Sequence, residues 1–406
     1  MIKTMAGSWS AHDWLNQGGA LLASDPAMAG RLLAQGLQLT PEEAIGWYNL
    51  GLGLHQQRRI AAAVRAYQHC LALPHAATTA VAARNNLAQD LLLLGHWHQG
   101  WELYGHRFER KPGHHPLFSQ SFGPALQGPI APGRPLLLMS EQGLGDTLQF
   151  ARYALVLQQQ GYEVTLLSQP PLVALLQRWG GLRQVVDHLD VAAQRQRRPA
   201  WLPLLDLAPR LSNSGDTIPM ATGYLNADPE RVAAWRQRLQ RRAGQLLVAL
   251  HWQGNPDHEH SLYSRGRSMR FEHWLGLGGC RGVEFVSIQK GAGSEQLAAG
   301  RGLPLVAGQA AVSASMDFCD TAAVLANCDL LISADSSVVH LAGALRVPTW
   351  LALRWIPEWR WGLAGDTTPW YSSVRLFRQH RDGDWASVVQ AMRRQLARLT
   401  QASVSP

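Results

Sequence analysis

Two short polar turns carry residue types that can do chemistry. The first, Gly143-Leu144-Gly145-Asp146, follows the apolar run Leu136–Met139 and leads into a helical pattern from Thr147 to about Gln159. Paired glycines let a backbone approach a ligand closely. A carboxylate is favoured at a helix start, where the macrodipole is positive. The second, Asp335-Ser336-Ser337-Val338, follows Leu330–Ala334 and opens an amphipathic helix carrying Val338, His340, Leu341 and Leu345. A strand, a short turn and a helix N-terminus together make an anion site, because the first N–H groups of a helix have no intrahelical partner. Ser336 and Ser337 add hydroxyl donors without bulk. Each turn taken alone also reads as a plain helix cap, with Asp146 on the first and Asp335 or Ser336 on the second. The first turn is not a dinucleotide fingerprint, since the third glycine is absent.

The elements that must position these turns alternate in kind from Pro135 onward. Apolar runs at Leu136–Met139, Val164–Leu167, 185–186 and 200–205 alternate with helical patterns. After a Pro- and Gly-containing crossing at 217–229 and a basic helix at 229–242, further runs follow at 246–250, 283–288, Leu330–Ala334 and 348–353. Such alternation predicts parallel sheets covered on both faces. Two halves of this kind, each with a Gly- or Ser-lined turn, point to a ligand held between facing strand ends. A last helix is expected over 384–400.

Residues 11–110 differ. They are rich in Ala, Leu and Gln, with proline only at Pro26, Pro41 and Pro74, and they repeat: Ala29, Leu33, Gly36 and Leu39 recur as Ala63, Tyr67, Cys70 and Leu73. The middle unit reads Trp47, Leu50, Gly51, Leu54, Ala63, Tyr67 and Pro74. A third unit, with Leu87, Ala88, Leu91, Gly100 and Tyr104, follows a slip at 74–79. This resembles the tetratricopeptide repeat, in which bulky, small and aromatic residues interlock helix pairs. An ordinary helical bundle is the alternative. The functional reading of the repeats is a docking surface for a protein partner. Residues 111–134 read as a Pro/Gly linker that includes His114 and His115.

Bulk properties narrow the classes. The chain has 406 residues, 46% hydrophobic and 16% charged, which suits several folded domains. No apolar run reaches the roughly 18–20 residues of a membrane span, and no signal peptide is read at the start. Cys70, Cys280, Cys319 and Cys328 show no pairing logic, which fits free thiols in a cytoplasmic protein. The net charge of +8 suits anionic ligands. Nucleic acid is ranked low, because no recognisable binding module accompanies the arginine runs.

Residues 135–399 resemble the heptosyltransferase-like glycosyltransferases of family 9, in the branch that carries tetratricopeptide repeats. The residues that carry the resemblance are Glu141-Gln142-Gly143-Leu144-Gly145-Asp146-Thr147-Leu148-Gln149-Phe150, Trp252-Gln253-Gly254-Asn255-Pro256-Asp257-His258 and Arg267-Ser268. They continue with Ser287-Ile288-Gln289-Lys290, Asp317-Phe318, Asp320-Thr321-Ala322-Ala323, Ser333 to Leu345, Trp359-Arg360-Trp361 and Pro369-Trp370-Tyr371. The resemblance implies an α/β, GT-B-like pair of Rossmann-like domains behind an all-α repeat domain. The expected divisions are repeats at 1–110, a linker at 111–134, an acceptor-side domain at 135–228 and a donor-side domain at 229–406. The C-terminal helix is expected to pack back on the acceptor-side domain.

The implied function is inverting, metal-independent transfer of a sugar from a nucleoside diphosphate sugar to a hydroxyl of a saccharide, a lipid-linked saccharide or a protein, with no cofactor. Asp146 is then the general base, and Gln142, Gly143 and Gly145 shape the acceptor side. The N-terminus at Ser336–Val338 binds the diphosphate in place of a metal. Lys290 meets the same charge or is a surface lysine. Asp335 holds the turn or a donor hydroxyl. His340 faces the ligand or the core. Trp252, Asn255 and Gln289 line the donor side of the cleft, with core as the other reading for Trp252. Arg265 and Arg267 clamp phosphate or are solvated, and Arg360 is a further phosphate candidate.

Arg346 departs from the family by standing where glycine is usual, and Ser336-Ser337 replaces a Thr-containing turn. Asp382 and Asp384 form a DxD pattern beside the last helix, where Asp384 reads as a cap. The Trp-rich stretch around Trp355–Trp361 is a donor lid or a crossover loop that buttresses the C-terminal helix. Two other functions remain in view: a non-catalytic repeat scaffold with a binding-only cleft, and a nucleotide-sugar epimerase, which would convert its sugar without an acceptor.

Overall fold

A computed structural model describes residues 9–110, 123–178, 180–197, 199–212, 217–299, 302–315 and 317–402. His114 and His115 of the expected linker, and Trp179, lie outside the described residues. The chain divides into two units: residues up to 117 together with Ile356–Leu363, and 118–355 together with 364–406.

The first unit is built of helices α1 (Ala11–Leu21), α2 (Pro26–Leu39), α3 (Ala44–Gln56), α4 (Ile60–Ala72), α5 (Ala77–Leu93) and α6 (Trp97–Tyr104), packed as successive hairpins. The repeated small and bulky positions are the contacts. Ala29, Leu33, Ala63, Tyr67 and Cys70 have no exposed surface. A side chain at Gly51 would run into the ring of Tyr67, so only glycine lets α3 and α4 approach this closely.

The Trp-rich segment belongs here and buttresses these helices, not the C-terminal one. Trp359 meets Trp101 edge-on at 5.2 Å and Tyr104 at 6.2 Å. Arg58 donates to the carbonyl of Leu363 at 2.6 Å.

The second unit holds two parallel sheets. The first contains β1 (Leu136–Met139), β2 (Val164–Leu167), β3 (Gln184–Val186) and β4 (Ala200–Pro203), in the order β3-β2-β1-β4. Its helices are α7 (Leu144–Gln159), α8 (Pro170–Arg178), α9 (Val191–Arg197) and α10 (Ala208–Leu211). After α11 (Pro229–Leu239) comes the second sheet: β5 (Leu246–His251), β6 (Val283–Ser287), β7 (Leu330–Ala334), β8 (Thr349–Leu353) and β9 (Val374–Arg378), ordered β6-β5-β7-β8-β9. The remaining helices are α12 (Phe271–Trp274), α13 (Gln309–Ala314), α14 (Phe318–Leu325), α15 (Ser337–Ala344) and α16 (Trp385–Ala402). Strands β1, β5, β7 and β8 are buried almost throughout, as continuous apolar runs in a doubly covered parallel sheet must be.

The strand order fixes where a ligand can sit. The chain moves outward from β1 through β2 and β3, then returns to place β4 on the other side of β1. The second sheet does the same around β5, with β6 on one side and β7 on the other. Crevices in such sheets open at the carboxyl ends of the strands beside these reversals. Both polar turns leave strands there.

One expectation is corrected, and one element is new. Helix α16 packs on the second sheet, because its stripe of Trp385, Val388, Val389, Met392 and Leu396 joins the core of Val248, Leu250 and Ile332. Strand β9, an edge strand with alternating burial, was not expected from the sequence. No helix among the described residues is long and apolar enough to cross a membrane.

Candidate functional site

Strand β1 delivers the chain into a tight turn. Gln142 takes a left-handed φ of 58°, and Gly143 is the extended N-cap of α7. Asp146, three positions on, reaches back so that its Oδ2 accepts the Gly143 N–H at 2.8 Å. This is the carboxylate half of a capping box, whose other half needs a side chain that glycine lacks. The half-buried carboxylate is thereby fixed in orientation at the positive end of α7.

Gly145 joins this turn to the other. A Cβ there would lie 2.8 Å from Cδ2 of His340 and 3.3 Å from Cα of Ser337. The bare glycine lets α7 press against the first turn of α15, so the two motifs far apart in sequence abut.

In the second turn, Ser336 is the N-cap of α15 but makes no side-chain cap bond. Its hydroxyl lies 3.1 Å from Nδ1 of His251, the last residue of β5. Burial pushes the His251 imidazole down to about 4, so the ring is neutral near pH 7. Ser337 is half-buried and Val338 buried at the helix start. Asp335 is half-buried beside them.

His340 is packed into the core. It is 6% exposed, its Nδ1 is 3.0 Å from the Tyr371 hydroxyl, and its ring rests on Gly145. Behind it lies a buried cation. Arg152 of α7 has no exposed surface and no ion-pair partner among the described residues. It donates to the carbonyls of Gln149 at 2.9 Å, Pro219 at 3.2 Å and Trp370 at 2.9 Å. The faces of Tyr224 and Tyr371 lie 4.9 and 4.7 Å from its guanidinium carbon. Burial raises the Tyr371 hydroxyl well above the ordinary phenol range, so it stays protonated. This cluster ties α7 to the 217–228 crossing and to the loop before β9. The N–H groups of Tyr224 and Leu225 add bonds to the carbonyl of Ala344 at 2.9 and 3.0 Å.

Several residues expected at the donor side have partners within the fold. Trp252 is fully buried, stacks obliquely on Phe271 at 4.6 Å and donates to Gly293; it is core, because the chain beyond β5 folds over it. Gln289 is a buried latch: its Oε1 accepts from Trp252 and Gln253 N–H at 3.1 and 3.0 Å, and its amide donates back to the carbonyls of Gln253 and Ala292. Asn255 is exposed and accepts from Asp257 N–H at 3.0 Å, which caps a short turn.

Lys290 is half-buried at the end of β6, and its ammonium donates to the carbonyl of Val312. Burial lowers its pKa, with Asp320 opposing. Arg267 stands half-buried beside Gly254 and pairs with Glu259 at 3.4 Å. The Arg265 carbonyl is held by Arg354 at 2.6 Å. Arg360 belongs to the helical unit, where it pairs with Glu358 and lies 4.4 Å over Trp359.

Among the described residues no group of three or more His, Cys, Asp or Glu side chains is placed to hold a metal ion. In the DxD pattern, Asp384 accepts from Ser387 N–H at 3.2 Å, as a cap does. A cavity of about 490 Å³, with Leu225, Arg236 and Arg346 in its lining, lies at the far end of α15 from the two turns. Arg346 there takes a φ of 66°, doing by strain what glycine does freely, and its guanidinium bonds Asn226 at 2.8 Å.

Reading the sequence missed His251, Arg152 and Tyr224. The signals were present: a histidine closing the apolar run of β5, and a lone arginine among the apolar residues of α7.

No family model matches the chain. Protein FlbA of Caulobacter vibrioides is 26% identical over 374 residues, covering 86% of this chain and 61% of that protein. The chain thus spans about three-fifths of the length of this curated relative. Among solved structures, the E. coli ADP-heptose LPS heptosyltransferase II aligns with a TM-score of 0.47 at 12% identity, over 67% of this chain and 100% of that one. The glycosyl transferase family 9 protein from Veillonella parvula aligns with a TM-score of 0.46 at 12% identity, over 67% and 97%.

Proposed function

We propose that the chain is a glycosyltransferase of GT-B type, similar to the family 9 heptosyltransferases, that moves a sugar from a nucleoside diphosphate sugar to an acceptor hydroxyl with inversion and without a metal. The observation that supports it is the contact of Gly145 with Ser337 and His340. It sets a carboxylate-bearing turn against a helix N-terminus that the Ser336 side chain does not cap, at the strand-reversal points of two parallel sheets. Asp146 takes the proton of the acceptor hydroxyl as its oxygen attacks the anomeric carbon. The bond to the diphosphate breaks on the opposite face. The leaving charge is met by the N–H groups of Ser337 and Val338 and by the α15 dipole.

The proposal assigns 135–228 to the acceptor and 229–406 to the donor. It reads the helical hairpins as tetratricopeptide-type repeats that dock a partner or acceptor, and places the reaction in the cytoplasm. Sugar, base and acceptor are left open within these classes.

A thermal-shift screen of nucleoside diphosphates and their sugars, with Mg²⁺ or with EDTA, tests the donor site. A diphosphate-dependent rise that Ser337→Trp abolishes and Mg²⁺ leaves unchanged is expected. No rise with any nucleotide at millimolar concentration refutes it. A second reading, a binding-only scaffold, is favoured by one observation: Asp146 already serves as the cap of its own turn. Binding without any transfer or donor hydrolysis would select it.

A further inference from the structure

We propose that His251 is a positioning residue that keeps the N-terminus of α15 open to phosphate by holding the Ser336 side chain away from it. This rests on the donor-site reading above. A serine N-cap ordinarily turns its oxygen onto the N–H two or three residues on. Ser10, Asp25, Asp228 and Asp317 all do so in their own helices. Ser336 has the extended backbone of an N-cap, φ −155° and ψ 174°, yet makes no such bond. Its hydroxyl is instead 3.1 Å from Nδ1 of His251.

The placement follows from the sheet. His251 pairs in register with Ser333 of β7, three residues before Ser336, so the imidazole stands beside the turn that leaves β7. It is 6% exposed, and its backbone is fixed as the end of a central strand. A neutral imidazole brings no charge to the turn, so what it contributes is geometry. With Ser336 diverted, its own oxygen does not cover the N–H groups of the first turn of α15. Without His251, the hydroxyl would swing onto its own helix and compete with a phosphate for these donors.

The test is calorimetric titration of the full chain with ADP, GDP, UDP, CDP and inorganic pyrophosphate. The variants are His251→Leu, His251→Gln, His251→Asn and Ser336→Ala, with His251→Leu also placed in the Ser336→Ala background. Ligand-free melting checks that each is folded, and His251→Gln replaces His251→Leu if the latter is not. His251→Leu should weaken the diphosphate that binds the wild type by roughly five-fold, the cost of displacing a serine cap. His251→Asn, whose amide reaches the place of Nδ1, should restore most of the affinity. In the Ser336→Ala background His251→Leu should have no further effect. Binding of the matching nucleoside without phosphate should stay constant throughout, which a general loosening of the fold would not produce. Undiminished diphosphate binding by both His251→Leu and His251→Gln, or a loss that persists in the Ser336→Ala background, overturns the inference while leaving the donor site standing. A wild type that binds neither nucleotide nor pyrophosphate overturns both.

Discussion

Replacing Gly145 with alanine should destabilise the chain, against the usual direction of such a change. Glycine to alanine inside a helix ordinarily gains about 0.5–1 kcal/mol, because the unfolded chain loses freedom. Here the new methyl would stand 2.8 Å from Cδ2 of His340 and 3.3 Å from Cα of Ser337. Carbon contacts settle near 3.5–4.0 Å, so something must move by roughly 0.7–1.2 Å. The ring is held by Tyr371 and the other neighbour is backbone, so neither yields as a free side-chain tip would. Overpacking of this kind costs about 1–3 kcal/mol. Set against the helix gain, a net loss of up to about 2.5 kcal/mol is expected, which is up to about 10 °C in melting temperature for a domain of this class. Urea and thermal unfolding would read it. Gly145→Ala combined with His340→Ala should cost less than the two changes separately, by at least about 0.5 kcal/mol. A Gly145→Ala chain that melts higher than wild type, or strict additivity with His340→Ala, would refute the contact as the joint between the turns.

Asp146→Asn keeps an oxygen for the Gly143 N–H, so its stability should stay within about 0.5 kcal/mol of wild type, while transfer falls by about 10²–10⁴-fold with diphosphate binding retained; a nucleotide-release assay showing unchanged turnover would remove Asp146 as the base. Arg152→Met strips the carbonyls of Pro219 and Trp370 of their donor, and urea unfolding should show a loss of about 2–5 kcal/mol that Arg152→Lys does not recover, since an ammonium lacks the guanidinium fork. The buried His251 should also make stability depend on pH. Its folded pKa of about 4 lies below the unfolded 6.5, so the unfolded chain binds more protons between these values and stability must rise with pH across that window. The contribution, up to about 3 kcal/mol, is complete above pH 6.5 and lost as pH falls toward 4. His251→Asn should flatten the unfolding curve there by comparison with wild type, and parallel curves would contradict a neutral buried imidazole.

What the sequence revealed and what it hid divide along a physical line. Strands β1, β5, β7 and β8 were legible because burial on both faces demands uninterrupted apolar runs. The two turns were legible because glycine and serine at a strand end are unusual enough to notice. Strand β9 was not, since an edge strand alternates Arg375 with Leu376 and follows an irregular Trp-rich stretch. The fate of long polar side chains was also hidden. Gln289, Lys290 and Arg267 have the chemistry of phosphate ligands, but a carbonyl or carboxylate of the same fold already engages each of them. That choice depends on neighbours dozens of residues away. His340 shows the limit most plainly: one turn into an anion-binding helix it reads as a ligand contact, yet Gly145 and Tyr371 enclose it.

The return of Ile356–Leu363 to the helical unit has a consequence for biosynthesis. Arg58 and Leu363, which bond one another, are 305 positions apart in the chain. At about 5–20 residues per second, the ribosome issues the helices some 15–60 s before the tryptophans that finish their surface. Trp101 and Tyr104 must therefore wait on the nascent chain with an apolar face uncovered. A cell producing this protein has to guard that face while the residues in between are made, and a messenger truncated before Trp359 would yield helices that never receive their closing piece.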